Sequence, residues 1–124
     1  MIATPTELLA SRDAEANNPK NMGTAGVRYN AGKNAMDLFP PNAMLALGVV
    51  YTKGAEKYSP NNWRKGMRYG ICIGAAFRHI FQWMTGQDMD EETGCHHLAM
   101  AAWNCLAIVQ WQSEGVGEDD RYVD

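Results

Sequence analysis

Residues 69–85 read YGICIGAAFRHIFQWMT, and this stretch decides the fold class of the sequence. Its apolar residues recur three and four positions apart, at Ile73, Ala76, Phe77, Ile80, Phe81 and Met84. This rhythm is typical of an α-helix that buries one apolar stripe in a core. Gly86 follows as a helix end. We therefore predict a helix from Tyr69 to Thr85 with that stripe buried.

Two further helices are predicted on either side of this stretch. The first runs from Asn42 to Tyr58, because Pro40-Pro41 suits a helix entry and Ser59-Pro60 stops it. The second runs from Glu91 or Glu92 to Ser113, with Asp90 as N-cap and acidic residues in the first turn. No stretch shows the period-two alternation of a strand. The sequence therefore predicts an all-α fold.

The chain is predicted to divide into three parts. Residues 1–24 are polar and predict a weakly held segment, in which a short helix around 5–15 fits the pattern. Residues 25–113 form the helical domain and begin with an ordered loop. Residues 114–124, EGVGEDDRYVD, predict an acidic, loose C-terminal tail.

The helices carry more apolar surface than one chain of this size can bury. Leu45 and Val49 lie on one face of the first long helix, whereas Leu47 and Val50 lie on another. Because 124 residues leave little room to cover every such face, we expect a helical bundle completed by self-association.

Composition excludes several classes of protein. The net charge of −3 argues against a dedicated nucleic-acid binder, which would carry a basic face. The three cysteines form no CxxC pair and the N-terminus has no secretory pattern, so we expect a reducing, cytoplasmic setting. The longest apolar run, 98–111, is shorter than the roughly 20 residues that span a bilayer, so we expect no membrane segment.

Acidic residues and histidines gather in residues 88–97, DMDEETGCHH. Mg²⁺ binds carboxylates together with substrate phosphates, and Mn²⁺ also accepts imidazole. Asp90, Glu92 and one histidine are therefore candidate metal ligands, and His79 of the preceding helix is a candidate partner. The alternative is a capped helix start with solvated acids, in which His97 has only a structural role.

Two loops offer groups that suit a nucleotide. In residues 26–37, GVRYNAGKNAMD, Arg28 and Lys33 are placed to close over phosphates, although no Walker A pattern is present. In residues 54–66, GAEKYSPNNWRKG, aromatic rings offer flat surfaces for a base and Asn62 an amide for its edge. The alternatives are a surface loop with solvated cations and a helix end with ordinary aromatic packing.

Three segments taken together resemble a known family. GVRYNAGK, then DLFPPNAMLALGVVYTKGAEKYSPNNWRKG, then AAFRHIFQWMTGQDMDEETGCHHLAMAAWN are similar to the phage-type dATP/dGTP diphosphohydrolase domain, a relative of the MazG-like all-α pyrophosphohydrolases. The similarity covers about residues 26–112. The ExxE and ExxD pair of the broader MazG-like group is absent, which leaves the ligand set open, including the choice between His96 and His97.

The resemblance implies a fold, a reaction and a setting. It implies a helical bundle that assembles as a dimer or tetramer. It implies hydrolysis of a purine (deoxy)nucleoside triphosphate, dGTP or GTP first, to the monophosphate and pyrophosphate with Mg²⁺ or Mn²⁺. It also implies a place in remodelling phage nucleotide pools in the host cytoplasm, in viruses that use 2-aminoadenine.

The resemblance also implies roles for individual residues. Glu92 or His79 would take the proton from the attacking water. The metal ligands would be His79, Asp90, Glu92 and His97, with Glu56 as a further candidate. The substrate-binding residues would be Arg28, Tyr29, Asn30, Lys33, Lys57, Asn62, Trp63 and Arg78.

Two other classes of function fit the same sequence. A non-enzymatic helical adaptor would explain the apolar helices and the acidic tail. A nucleotide-binding relative without activity would keep the pocket and give no product. The sequence leaves open which purine and which sugar are preferred, and how many metal ions bind.

Overall fold

A computed structural model describes residues 2–16 and 26–124 of the chain. Its α-helices are α1 (Pro5–Ala16), α2 (Pro41–Lys57), α3 (Tyr69–Met84) and α4 (His97–Glu114). Short 3₁₀ turns cover Met36–Leu38 and Asn62–Lys65. No strand occurs among the described residues, which contain isolated β-bridges instead. The predicted all-α class is therefore confirmed.

The chain forms two compact units, Met1–Leu38 and Phe39–Asp124. In the first unit, Thr4 and Glu7 form a capping box at the start of α1: Glu7 N donates to Thr4 Oγ1 over 3.2 Å, and Thr4 N donates to Glu7 Oε2 over 2.9 Å. Arg12 of α1 forms an ion pair with Asp37. The short N-terminal helix agrees with the prediction. Residues 17–25 of the predicted weakly held segment lie outside the described residues.

The core of the second unit lies between α3 and α4. Tyr69, Cys72, Ala107 and Trp111 are buried there, and the rings of Tyr69 and Trp111 stack with centroids 6.2 Å apart. Trp111 is fully buried and donates its Nε1 proton to the carbonyl of Trp63 over 3.0 Å. Burying one such side chain stabilises the fold by roughly 1.5–3 kcal/mol. This contact holds the turn after α2 against α4.

The predicted stripe of α3 has the right rhythm but faces the wrong way. Phe77 and Phe81 are 53% and 58% exposed, and Met84 is 68% exposed. The face that packs on α4 carries Cys72, which lies outside the predicted stripe, and Ala76, which is its one buried member. Small residues let two helices approach closely, so the chain uses them at the contact and leaves the large apolar residues outside. The prediction that the stripe is buried within the chain is therefore confirmed for Ala76 and wrong for Phe77, Phe81 and Met84.

The predicted start of the last helix is also wrong. Helix α4 begins at His97, with His96 as its N-cap. The preceding residues form a loop closed by a bridge between Met89 and His96. Gly94 has φ +73°, which interrupts a helix, and Asp90 accepts hydrogen bonds from the turn below it rather than capping α4. The acids and the histidines therefore do not share one helix face.

The C-terminal segment pairs with the start of α3. Tyr69 N donates to the Glu118 carbonyl over 3.0 Å, and Glu118 N donates to the Met67 carbonyl over 3.2 Å. The Tyr69 hydroxyl donates to the Val116 carbonyl over 2.6 Å. Gly117 makes this close approach possible, because a Cβ there would lie 2.7 Å from the Met67 carbonyl oxygen. A loose tail was expected, whereas these residues form ordered contacts; the boundary at residue 114 stays a prediction.

Within the described part of the chain, the helices are all too short or too polar to cross a membrane.

Candidate active site

A cleft of about 220 Å³ runs between α2 and α4 and is here called the central cleft. Helix α2 contributes one wall, helix α4 the other, and the loop before α4 closes one side. The lining residues are Val50, Lys53, Gly54, Lys57, Tyr58, Thr93, Cys95, Met100, Trp103 and Asn104.

A second space of about 100 Å³ lies next to the central cleft and is here called the aromatic end. Val50, Gly54, Tyr58 and Trp103 border both spaces, so the two are adjacent. Asn62 and Trp63, two predicted substrate-binding residues, line this end. The lining is rich in flat rings, which suit the face of a base.

The aromatic rings at this end support one another. The edge of Tyr51 contacts Trp63 at 5.6 Å and Trp103 at 6.1 Å between ring centroids. The guanidinium of Arg64 lies over the Trp63 ring at 4.8 Å. These contacts come from α2, the turn after it and α4, so the end is held by three parts of the fold. Trp63 is therefore positioned before any ligand arrives.

The opposite side of the central cleft is a charged end of about 310 Å³. Lys53, Lys57 and Thr93 border both spaces, and Glu56 and Glu92 complete the charged end. Lys53 Nζ lies 3.6 Å from a Glu56 oxygen, and Lys57 Nζ lies 3.8 Å from a Glu92 oxygen. These long, exposed pairs are weak. Three predicted site residues, Glu56, Lys57 and Glu92, are thus brought together by the fold.

Three other predicted site residues gather beneath the loop before α4. Nδ1 of His79 and Nδ1 of His97 are hydrogen-bonded over 2.9 Å, and Nε2 of His97 lies 2.8 Å from Oε1 of Gln87. With that oxygen facing the ring, Nε2 of His97 carries the proton and Nδ1 accepts from His79. His97 is fully buried and uses both ring nitrogens.

Asp90 is held next to this histidine pair by Thr93. Its Oδ2 accepts from the Thr93 hydroxyl over 2.7 Å and from the Thr93 amide over 3.0 Å. The hydroxyl hydrogen bond is the main cause that lowers the pKa of Asp90, and the nearby His97 and His79 act in the same direction. Thr93 also borders the charged end, so Asp90 lies directly behind its wall.

The same surroundings keep His79 neutral. Burial lowers the pKa of His79, the neighbouring His97 and Arg78 lower it further, and Asp90 opposes them. A group with such a pKa is neutral at pH 7 and is able to accept a proton. We name the set of His79, Gln87, Asp90 and His97 the histidine cluster.

The fold therefore divides the predicted metal ligands into two groups. His79, Asp90 and His97 belong to the histidine cluster, whereas Glu56 and Glu92 belong to the charged end. Among residues 2–16 and 26–124, no three His, Cys, Asp or Glu side chains are grouped closely enough to hold a metal ion. His97 has no ring nitrogen to spare, so the geometry favours its structural role. His96 accepts from the Leu98 amide through Nδ1 and caps α4.

The remaining predicted residues lie elsewhere. Arg78 is exposed on α3 and does not border the cleft. In the unit Met1–Leu38, Asn30 and Lys33 line a separate cavity of about 260 Å³ together with Arg12. Arg28 and Tyr29 are exposed in that same unit.

Sequence reasoning missed several residues of the cleft. Lys53 lies one helical turn before Lys57, so the two share a face of α2, and that spacing was the available signal. No sequence pattern marks Thr93 or Trp103 as a residue of the cleft. Asn104 interrupts an apolar run, which marks it as a buried polar residue without assigning it a role.

Comparison with known proteins identifies the family. Residues 23–121 match the model of the family described as "dATP/dGTP diphosphohydrolase, N-terminal". The chain belongs to this family. It is also 30% identical, over 96 residues, to a dATP/dGTP diphosphohydrolase of Salmonella phage PMBT28. That region covers 77% of this chain but 33% of the relative, so the chain spans about a third of the relative's length. No solved structure is detectably similar to the chain.

Proposed function

We propose that this chain is a diphosphohydrolase domain that converts a purine deoxynucleoside triphosphate, dGTP first, to the monophosphate and pyrophosphate. One observation carries the proposal: the central cleft adjoins one space lined by aromatic rings and another lined by paired lysines and carboxylates. A nucleoside triphosphate has the same polarity along its length. The family and the name of the phage relative support the same reaction class.

The two ends divide the work of binding. The base lies toward the central cleft and the aromatic end, where Trp63 and Asn62 contact it. The phosphates lie at the charged end, where Lys53 and Lys57 neutralise their oxygens. Both lysines hold their present carboxylate partners only weakly, so a phosphate replaces those partners at little cost.

A divalent cation, Mg²⁺ or Mn²⁺, fits the donors of the charged end. Mg²⁺ commonly uses one or two protein carboxylates, several waters and the substrate phosphates, so a set of three protein ligands is not required. Glu92 and Glu56 would hold it, with Asp90 ionised behind Thr93. When bound, such a cation lowers the pKa of a water and stabilises charge on the phosphoryl oxygens. His97 is less suited to this task, because hydrogen bonds to His79 and Gln87 use both of its ring nitrogens. His79 does not border the charged end.

Glu92 is the better of the two predicted proton acceptors. Its carboxylate borders the charged end directly and its side chain is 79% exposed, so it reaches a water beside the phosphates. His79 is neutral and is able to accept a proton, but it belongs to the histidine cluster and does not border the cleft. We assign Glu92 the proton transfer and His79 the support of the loop that carries it.

Self-association completes the proposal. Large apolar side chains on α2 and α3 are exposed, among them Leu45 at 71% and Phe81 at 58%. The rings of Phe77 and Phe81 stack with centroids 6.0 Å apart on the outer face of α3. We propose that a second copy of the chain covers it in a dimer or tetramer. Size-exclusion chromatography with light scattering tests this, and a strict monomer at micromolar concentration would contradict it.

The proposed setting is the remodelling of purine deoxynucleotides in a phage-infected cell, including viruses that use 2-aminoadenine. The phage origin of the relative supports it. We propose the host cytoplasm as the location and no nucleic-acid polymer as a partner, in line with the net charge of −3.

The direct experiment is incubation of the purified chain with dGTP and Mn²⁺, with pyrophosphate measured as the product. We expect pyrophosphate and dGMP in equal amounts, and loss of both when the cation is chelated. Free phosphate with dGDP would place the cleavage at a different bond and contradict the proposal. Tight binding of dGTP without product would identify a nucleotide-binding relative that lacks activity.

The outer face of α3 favours one competing function, a helical adaptor that binds another protein. An adaptor needs the exposed stacked rings of Phe77 and Phe81 but gains nothing from the charged end. Absence of both nucleotide binding and pyrophosphate release would favour the adaptor.

A further inference from the structure

Asn104 is a polar residue of the cleft to which the proposed function gives no role. It lies in the middle of α4 and is only 7% exposed. Its neighbours in the wall of the central cleft are mostly apolar, among them Val50, Met100 and Trp103. An amide in such a wall costs free energy unless its polar atoms find partners, and an apolar side chain of similar size would avoid that cost. The presence of an amide at this position, where it costs stability, therefore suggests a role in binding.

The hydrogen bonds of Asn104 leave one atom without a partner. Its Nδ2 donates to the carbonyl of Met100, one turn earlier in α4, over 2.9 Å. Because a carbonyl only accepts, this bond fixes which end of the amide carries the oxygen. Among the described residues, Oδ1 of Asn104 has no hydrogen-bond partner. No buried side-chain oxygen or nitrogen in the described chain is both sealed and unpartnered, so Oδ1 is accessible from the cleft that Asn104 borders.

An unpartnered acceptor oxygen in the central cleft selects for a donor. It would repel phosphate oxygens, which belong at the charged end beside Lys53 and Lys57. The flat ring of Trp103 and the flexible side chain of Met100 border the same space and suit the face of a base. Adenine and guanine both carry an exocyclic amino group, which donates hydrogen bonds at the edge of the ring.

We infer that Asn104 is a specificity-determining residue, whose Oδ1 accepts a hydrogen bond from the exocyclic amino group of the purine base. The inference rests on the proposed function, because it takes the cleft as the nucleotide site. It places the edge of the purine base in the central cleft and explains why a buried amide lies there. A base that lacks the amino group leaves Oδ1 buried and unpartnered, which costs binding free energy.

Base analogues test the inference on the unaltered protein. dGTP is compared with dITP, which lacks only the 2-amino group, and dATP with 2′-deoxypurine riboside triphosphate, which lacks only the 6-amino group. For the preferred purine, we expect kcat/KM to fall about tenfold when the amino group is absent. Equal kcat/KM values with and without the amino group, for both purines, would overturn the inference.

The variant Asn104→Leu then identifies the residue responsible. Leucine fills a similar volume without an acceptor, so we expect the ratio between the amino and the amino-free nucleotide to fall to about one. Gln112→Leu is the matched control, because Gln112 is an exposed amide on the same helix that does not border the cleft. If Asn104→Leu keeps the ratio of kcat/KM values that the unaltered protein shows, the inference is overturned. If that variant does not fold by circular dichroism, the analogue series on the unaltered protein decides.

Two further outcomes separate the inference from the proposed function. If no nucleotide gives pyrophosphate, the proposed function fails, and calorimetric Kd values for dGTP and dITP still test the amino contact. If 2′,3′-dideoxyguanosine triphosphate shows the loss that dITP does not, Oδ1 contacts the sugar hydroxyl and the inference is overturned.

Discussion

The histidine cluster and the charged end contain most of the predicted catalytic residues, yet they differ in almost every physical property. The cluster is closed: His97 is fully buried, and its two ring nitrogens bond to His79 and Gln87 at 2.9 and 2.8 Å. The charged end is open: its ion pairs are 3.6 and 3.8 Å long and their side chains are about half exposed or more. Groups that have satisfied one another stabilise a fold, whereas loosely paired groups are available to a ligand.

This difference separates histidines and carboxylates with a structural role from those that are available to bind a ligand. From the sequence alone, an imidazole or a carboxylate near a cleft suggests catalysis whether or not its side chain faces the cleft. In the cluster, hydrogen bonds within the chain already use both ring nitrogens of His97 and one carboxylate oxygen of Asp90. At the charged end the lone pairs of Glu56 and Glu92 face solvent and the lysines. We therefore expect mutations in the two regions to affect different measurements, activity at the charged end and stability in the cluster.

The largest effect is expected from Glu92→Gln. The variant keeps the size of the side chain and removes the carboxylate assigned to proton transfer and cation binding, so kcat should fall about a thousandfold. Lys57 loses only a 3.8 Å surface partner, so the melting temperature should stay unchanged. Pyrophosphate release and a thermal melt measure the two effects.

Glu91→Gln is the matched control for that variant. It removes the same charge from the adjacent, exposed position, which does not border the charged end. We expect it to retain the rate of the unaltered protein. Unchanged turnover in Glu92→Gln would exclude the assigned role and shift the search for a base to the histidine cluster.

A loss of stability is the second effect, expected from His97→Ala. The variant leaves a cavity and strips partners from His79 and Gln87, so the free energy of unfolding should fall by about 3 kcal/mol. Urea denaturation measures it. His96→Ala serves as comparison, because it removes only the N-cap of α4 and should cost about 1 kcal/mol. A His97→Ala variant of full stability that needs far more Mn²⁺ for turnover would instead identify His97 as a ligand.

The sequence predicted where the helices begin and end more reliably than which face of each helix is buried. Periodicity placed α2 and α3 within one residue of their ends, because local apolar spacing and proline or glycine signals determine where a helix begins and stops. It predicted the burial of Ala76, but it did not show that Cys72 would face α4 beside it while Phe77 and Phe81 face outward. That choice depends on how closely two helices approach, which is a property of the pair and not of either sequence alone.

The candidate site shows the same limit. The sequence selected Glu56, Lys57 and Glu92, and the fold brings them together although 35 positions separate Lys57 from Glu92. The sequence predicted that the acids and the histidines lie on one helix. In the structure, Gly94 and the Asp90–Thr93 turn keep the acids in a loop, and the helix begins only after the N-cap His96. Local hydrogen bonding by aspartate and threonine competes with helix formation, and an N-cap prediction from residue type does not resolve that competition.

The smallest effect is a dependence of stability on pH, which tests how closed the histidine cluster is. The pKa of His79 is lowered from 6.5 mainly by burial, so the unfolded chain binds a proton at that position more readily than the folded chain. The free energy of unfolding should therefore decline as pH falls below about 6.5. The pKa of Asp90 is lowered from 3.8, mainly by the Thr93 hydroxyl, so a second decline should begin below about 3.8.

Urea denaturation at pH values from 8 to 3 measures both windows, and His79→Gln separates them. Glutamine carries no titrating group, so the variant should lose the decline below 6.5 and keep the decline below 3.8. The charged end contributes little to either window, because its ion pairs are long and exposed. A stability profile that is flat from pH 7.5 to 5 in the unaltered protein would mean that His79 is as open to solvent as Glu92. The distinction between a closed histidine cluster and an open charged end would then fail at His79.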